Sequence, residues 1–265
     1  MGRRQGVNET DGADLGSATS RTHWFEDLAD HMGPAYLRYA FTRGTAQEVA
    51  FVADEIEERC GPLAGLRIVD LGCGPGRHAV ALADRGAEVV GIDVARRFLD
   101  VAASAATGQR SPRWVRADAR RLPLTTGSCD VVVSLCQGAF GVPPIGSGDR
   151  TDAEIVAEVA RILRPDGLLV LSAFSAYFQI RYLEDSDSFD VELGLNHEPT
   201  VVHNQEGAPL QTDLWTSCYT PRELRLLLGD AGLTVEALWS VTPGDYRRNA
   251  ADLDHPEFLV VARRT

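Results

Sequence analysis

The sequence predicts an α/β protein built on a doubly wound, mostly parallel sheet with helices on both faces. Three observations carry this. From Arg67 onward, short apolar runs alternate with amphipathic segments, the pattern of strands buried on both sides. A glycine-dense turn separates the first apolar run from the first amphipathic segment. The chain of 265 residues, 44% hydrophobic and 24% charged, is long enough to bury a full core without disulfides or structural metal.

Taken in order, residues 1–22 are polar and glycine-rich and are expected to form a disordered tail. Trp24, Phe25, Tyr36, Tyr39 and Phe41, broken by Gly33-Pro34 and Gly44, suit short helices lying over something, a helical lid spanning 23–62. Within it, Thr45 to Glu48 reads as a capping box, and Val49, Val52, Ala53 and Ile56 recur at helical spacing up to Gly61-Pro62. Strands are expected at Arg67 to Leu71, Glu88 to Asp93, Trp114 to Ala117, Asp130 to Leu135 and Leu168 to Phe174. Helices fall between them at Arg77 to Arg85, Arg96 to Ala106 and Thr151 to Leu163, the last stopped by Arg164-Pro165-Asp166-Gly167. These make a core over 63–174. Residues 175–217 break the rhythm and predict an added subdomain of irregular strands. Residues 218–265 close the domain with a helix opened by the capping box Thr220 to Glu223, then strands at Thr234 to Trp239 and Glu257 to Arg263.

The 26 Lys and Arg against 38 Asp and Glu give a net charge of −12, which argues against nucleic acid as a partner. The five cysteines are odd in number and lack paired spacing, so free thiols and a cytoplasmic location are expected. No apolar run approaches a membrane span, and no membrane partner is expected.

The strongest chemical signal is Ile68-Val69-Asp70-Leu71-Gly72-Cys73-Gly74-Pro75-Gly76-Arg77-His78. Glycines there let backbone approach a ligand, and the helix that follows offers free N–H groups. Asp93, at the end of the next strand, is placed to accept both hydroxyls of a ribose. The third glycine is Gly76 where a dinucleotide fingerprint needs one at 77, and Asp70 suits an ammonium better than a pyrophosphate. Both features disfavour NAD and FAD.

With these residues the sequence resembles the class I S-adenosylmethionine-dependent methyltransferases. Asp70 to Gly76 looks like their first motif, Asp93 like the ribose-binding acid, Ala117-Asp118-Ala119 like the adenine segment, Asp130 to Gln137 like the fourth-strand motif, and Leu163 to Gly167 like the turn before strand five. The resemblance implies a Rossmann-like sheet of seven strands whose last strand is antiparallel, with S-adenosyl-L-methionine as cofactor, S-adenosyl-L-homocysteine as product and no metal. It places Gly72, Cys73, Gly74 and Gly76 under the methionine end, Asp70 on its amine directly or through water, and Asp93 and Val94 at the ribose. Asp118 and Ala119 would meet adenine, and a carbonyl of Leu135 or Cys136 the amine.

The Asp/Asn-Pro-Pro-aromatic signature of enzymes that methylate nucleic-acid amino groups is absent after strand four, and Ser134, Leu135 and Cys136 supply no carboxylate for a metal-dependent type. The resemblance is closest to small-molecule methyltransferases. It implies an acceptor pocket from the lid (Tyr36, Arg43), the loop after strand four (Gln137, Phe140) and the insertion (Tyr177, Trp215), with methylation at O, N or C by a monomer or homodimer. His197, His203, Asp213 and Tyr219 are candidate bases, with His203 preferred for its pKa range. The alternatives are a noncatalytic S-adenosylmethionine-binding protein, or methylation of a protein or RNA.

Overall fold

A computed structural model describes residues 23–265 apart from 107, 109, 137 and 145–149, so the tail over 1–22 and the candidate Gln137 lie outside the described residues. The lid is α1 (Trp24–Met32), two 3-10 turns (Gly33–Arg38 and Ala40–Thr42) and α2 (Thr45–Cys60). The core follows as β1 (Arg67–Leu71), α3 (Arg77–Asp84), β2 (Glu88–Asp93), α4 (Arg96–Ala105), β3 (Arg113–Arg116), β4 (Cys129–Ser134), α5 (Arg150–Ile162) and β5 (Leu163–Ser175). The insertion holds α6 (Ala176–Arg181), β6 (Ser188–Asp190), β7 (Leu195–His203) and β8 (Pro209–Tyr219). The chain closes with α7 (Pro221–Asp230), β9 (Leu233–Thr242), β10 (Asp245–Asn249) and β11 (Glu257–Arg264).

The main sheet runs β3-β2-β1-β4-β5-β11-β9-β10. The pairs among β1 to β5 are parallel, and β11 is antiparallel to both neighbours, lying between β5 and β9. The expected seven strands are all present, and the short edge strand β10 is an addition. Alternation along the strands buries both faces. Val69, Leu71, Val132 and Leu171 meet Ile155 and Val159 of α5 and Leu224 and Leu228 of α7. Ile68, Val131, Val133 and Val170 meet Val49, Val52 and Ile56 of α2 and Ala79 and Leu82 of α3. Strand order reverses between β1 and β4, which opens a crevice at their carboxyl ends, the place where open α/β sheets bind ligands.

Two expectations change. The insertion is regular: β7 and β8 pair over nine residues, β6 adds to β7, and β8 joins the end of β5 through Cys218 and Tyr219. At α2 there is no capping box, because Gly44 is the N-cap and has no side-chain cap bond. A Cβ on Gly44 would fall 1.9 Å from the Cα of Gly244 in the β9–β10 turn, so the chains touch backbone to backbone there and Glu48 is released for another use. The capping box at α7 forms with both its bonds, from Glu223 N–H to Thr220 and from Thr220 N–H to Glu223. No helix among the described residues is long and apolar enough to cross a membrane.

Candidate functional site

The turn after β1 is shaped by its glycines. Gly72, Gly74 and Gly76 have φ of 71°, 52° and 80°, the left-handed region that side chains resist. Gly72 and Cys73 donate their N–H groups to the Ile92 carbonyl at 2.8 and 3.0 Å, hanging the turn on the end of β2. A Cβ on Gly72 would lie 1.9 Å from the Gly138 carbonyl carbon, so the loops after β1 and β4 also press backbone against backbone. Beyond Gly74 there is open space. The N-cap residue of α3, Gly76, offers no side-chain cap, and the Ala79 N–H in the first turn bonds Asp70 instead.

Asp93, 4% exposed at the end of β2, accepts the Gly74 N–H on Oδ2 and the Ala95 N–H on Oδ1, both at 2.7 Å. Burial raises its carboxyl to about 6 despite these amide bonds. Asp70 is 2% exposed, and burial raises it to about 7, with the nearby Arg77 charge opposing. Its Oδ2 is buried with no hydrogen-bond partner among the described residues. Asp118 accepts from Arg120 through both the backbone N–H and the guanidinium, and these hydrogen bonds hold its carboxyl below the usual carboxylate range.

Asp93 and Asp118 border a cleft together with Phe25, Ala119 and others. It shares Phe25, Gly72, Asp93 and Gly138 with a second, smaller space that reaches Tyr36, Gly74, Arg77, His78 and Cys136. The lid is pinned over both. His23 Nε2 bonds the Val142 carbonyl at 3.0 Å, Trp24 Nε1 donates to the Pro143 carbonyl at 2.9 Å, and Glu26 pairs with Arg116 beside the cleft. Phe25 and Tyr36 lean on Phe98 of α4 with ring centroids 5.9 and 4.7 Å away.

Of the residues expected at the site, the structure brings Gly72, Cys73, Gly74, Asp93, Val94, Asp118, Ala119, Leu135, Cys136 and Tyr36 to the walls of these two spaces. Asp70 lies a layer behind them. Gly76 faces away, where a Cβ would meet the Trp114 ring at 2.5 Å and Ala102 at 2.8 Å, so its smallness serves packing between α3 and α4.

The acceptor residues fare differently. His203 stands exposed at the end of β7, on the face opposite to the one that packs Val202 against the lid, and lines neither space. Trp215 shares that outward face, stacked on His197 at 4.1 Å, while His197 bonds Asp213 at 2.8 Å. Tyr177 is 42% exposed on α6, and Arg43 is exposed after the second 3-10 turn. Phe140 is buried in the core against Tyr219, whose hydroxyl donates to Asp152 at 2.5 Å. Three residues were missed. Arg77 and His78 line the smaller space, and buried Glu48 holds them both. His78 is 5% exposed. A usable signal was Arg77 itself, a cation in the first turn of a helix where the dipole favours anions.

Residues 69–171, from β1 through most of β5, match the family described as methyltransferase domain. This domain is similar to demethylmenaquinone methyltransferase of Clavibacter sepedonicus, with 34% identity over 114 residues that make up 43% of each chain. Its fold matches the CcbJ methyltransferase of Streptomyces caelestis, with a TM-score of 0.66 at 22% identity, covering 83% of this chain and 89% of that one. It also matches magnesium protoporphyrin IX methyltransferase of Synechocystis, solved with bound S-adenosylhomocysteine, with a TM-score of 0.55 at 19% identity and 85% coverage of each. The chain spans between 26% and 58% of the lengths of five curated relatives.

Proposed function

We propose that the domain transfers the methyl group of S-adenosylmethionine to a small organic acceptor. The observation that carries this reading is the pinned lid closing a cleft whose walls combine Asp93 and the open space over Gly74. The residues fit the cofactor. Asp93 has lone pairs left for two ribose hydroxyls, Asp118 and the Ala119 backbone border the space an adenine would fill, and the unpartnered oxygen of Asp70 can hold the amine through water. Bound there, the cofactor supplies an electrophilic methyl group on a sulfonium. The protein's part is to position the acceptor in line and to exclude water, and the bonds from His23 and Trp24 to the loop after β4 serve the second task.

An acceptor admitted between the lid and the β4 loop has to be small, which disfavours protein or RNA. The net charge of −12 disfavours RNA independently. Methyl-labelled S-adenosylmethionine incubated with the protein and a panel of phenols, amines and carbon acids should pass label to a small product and yield S-adenosylhomocysteine. Label appearing only on protein or RNA, or tight cofactor binding without turnover on any acceptor, would contradict the proposal.

A further inference from the structure

We propose that His23 is a pH-sensitive latch, holding the start of the lid against the loop after β4 and freeing it when the imidazole takes a second proton. His23 is the N-cap residue of α1, with extended backbone, and it lines the larger cleft beside Phe25, Asp118 and Val142. Its Nδ1 accepts the Phe25 N–H at 3.2 Å, the bond that caps the helix, while its Nε2 meets the Val142 carbonyl at 3.0 Å. A carbonyl can only accept, and a backbone N–H can only donate. The two partners therefore fix one form of the ring, neutral, with its proton on Nε2 and a lone pair on Nδ1. The common capping side chains still accept at mildly acidic pH. An imidazole loses its acceptor in the range where histidine titrates.

A second proton would have to sit on Nδ1, pointing at the Phe25 N–H. The imidazolium must then leave the cap, and Nε2 leaves Val142 with it. The charges that face the ring are already engaged. Asp118 and Arg120, after β3, meet it as a bonded pair, with Arg120 Nη2 2.5 Å from Asp118 Oδ2. Glu26, on α1 itself, is paired with Arg116. Burial is the largest influence and holds the ring below the ordinary histidine value, against the Val142 bond and the two carboxylates. The latched protein thus binds this proton less readily than the opened one. Closure is complete above about 6.5 and is lost as pH falls below it.

The bond is placed where its loss matters. His23 and Phe25 form one wall of the cleft and Val142 and Pro144 another, so the latch ties wall to wall. The next residue, Trp24, carries the second tie, to the Pro143 carbonyl. The far end of the lid is held differently, on the β7–β8 hairpin. His31 Nε2 bonds the Ala208 carbonyl, Arg38 donates to the Gln205 carbonyl, and the Tyr39 hydroxyl accepts the His203 N–H. A protonated His31 keeps its bond, because it only donates there. Acid therefore loosens the cleft edge of the lid and leaves the hairpin edge attached.

The test is hydrogen exchange of the Trp24 indole N–H, followed by NMR in the unliganded full chain and corrected for the intrinsic pH dependence of exchange. In wild type, protection should fall about tenfold in total between pH about 7 and about 5. His23→Asn keeps a capping oxygen that does not titrate, and His23→Gln keeps an amide N–H for Val142. In both, protection should be lower at neutral pH and flat across the range. A flat profile in wild type, or the same fall in either variant, would overturn the latch. A second arm rests on the cofactor reading: S-adenosylhomocysteine should dissociate faster as pH falls, and more steeply in wild type than in His23→Asn, whose remaining slope belongs to Asp93. Equal slopes would overturn the gating of the cleft. Because the exchange arm needs no ligand, a chain that bound no S-adenosylhomocysteine would overturn the cofactor reading and leave the latch to be decided by the indole.

Discussion

Asp93→Asn should weaken S-adenosylhomocysteine binding about 100-fold. An ionised carboxylate bonded to two ribose hydroxyls contributes roughly 1.5–3 kcal/mol per bond, and an amide keeps only one accepting oxygen. The substitution also disturbs the apoprotein, because Asp93 accepts from Gly74 N–H on one oxygen and Ala95 N–H on the other. An amide must turn its NH₂ toward one of those donors, so the glycine turn or the start of α4 loses its anchor. The same carboxyl predicts a pH dependence. Burial raises it to about 6 from an ordinary 3.8, so the folded protein holds this proton more tightly than the unfolded chain. Ionising it costs stability as pH rises through that window, and ligand binding, which requires the ionised form, recovers that cost. Affinity should therefore fall as pH drops below about 6, up to about tenfold per unit. Titrations across that range check it, and a flat profile together with an unimpaired asparagine variant would remove Asp93 from the site.

Gly72→Ala should be the most destabilising single change in the core of the site. The residue sits at φ 71°, which costs a side chain about 1–2 kcal/mol. Its Cβ would lie 1.9 Å from the Gly138 carbonyl carbon and 2.2 Å from its oxygen. Neither partner is a flexible side chain, and Gly72 is itself held by the Ile92 carbonyl. Relief requires the β4 loop to move away, which opens the cleft, and overpacking of this kind adds roughly 1–3 kcal/mol or more. Thermal unfolding should show a clear drop in midpoint together with lost ligand binding. Gly74→Ala, with open space around its Cβ, should lose binding with a much smaller change in stability.

The parallel core was legible because its signals are local. β1 and β2 begin and end at the expected residues, since each is a short apolar run bounded by turn chemistry. The grouping of the glycine turn with Asp93, Asp118 and Cys136 around two adjoining spaces was legible for the same reason, being made from one turn and the ends of adjacent strands. The acceptor side was not. Which face His203 and Trp215 occupy depends on the register of β7 on β8, set by the Asn204–Ala208 turn and invisible in a run of mixed polar residues. Glu48 was misread because Thr45 and Glu48 have the spacing of a capping box, while the contact between Gly44 and Gly244, two hundred residues apart, decides the local backbone. The edge strand β10, which brings Tyr246 and Gly244 to that contact, follows a tight turn too short to register as a separate element.

The most direct test of the central claim is calorimetric titration of the full chain with S-adenosylmethionine, S-adenosylhomocysteine and NAD. The account predicts one-to-one binding of both sulfur nucleosides in the micromolar range, about −8 kcal/mol, and no heat from NAD. Binding of NAD alone, or of none of the three, would contradict it.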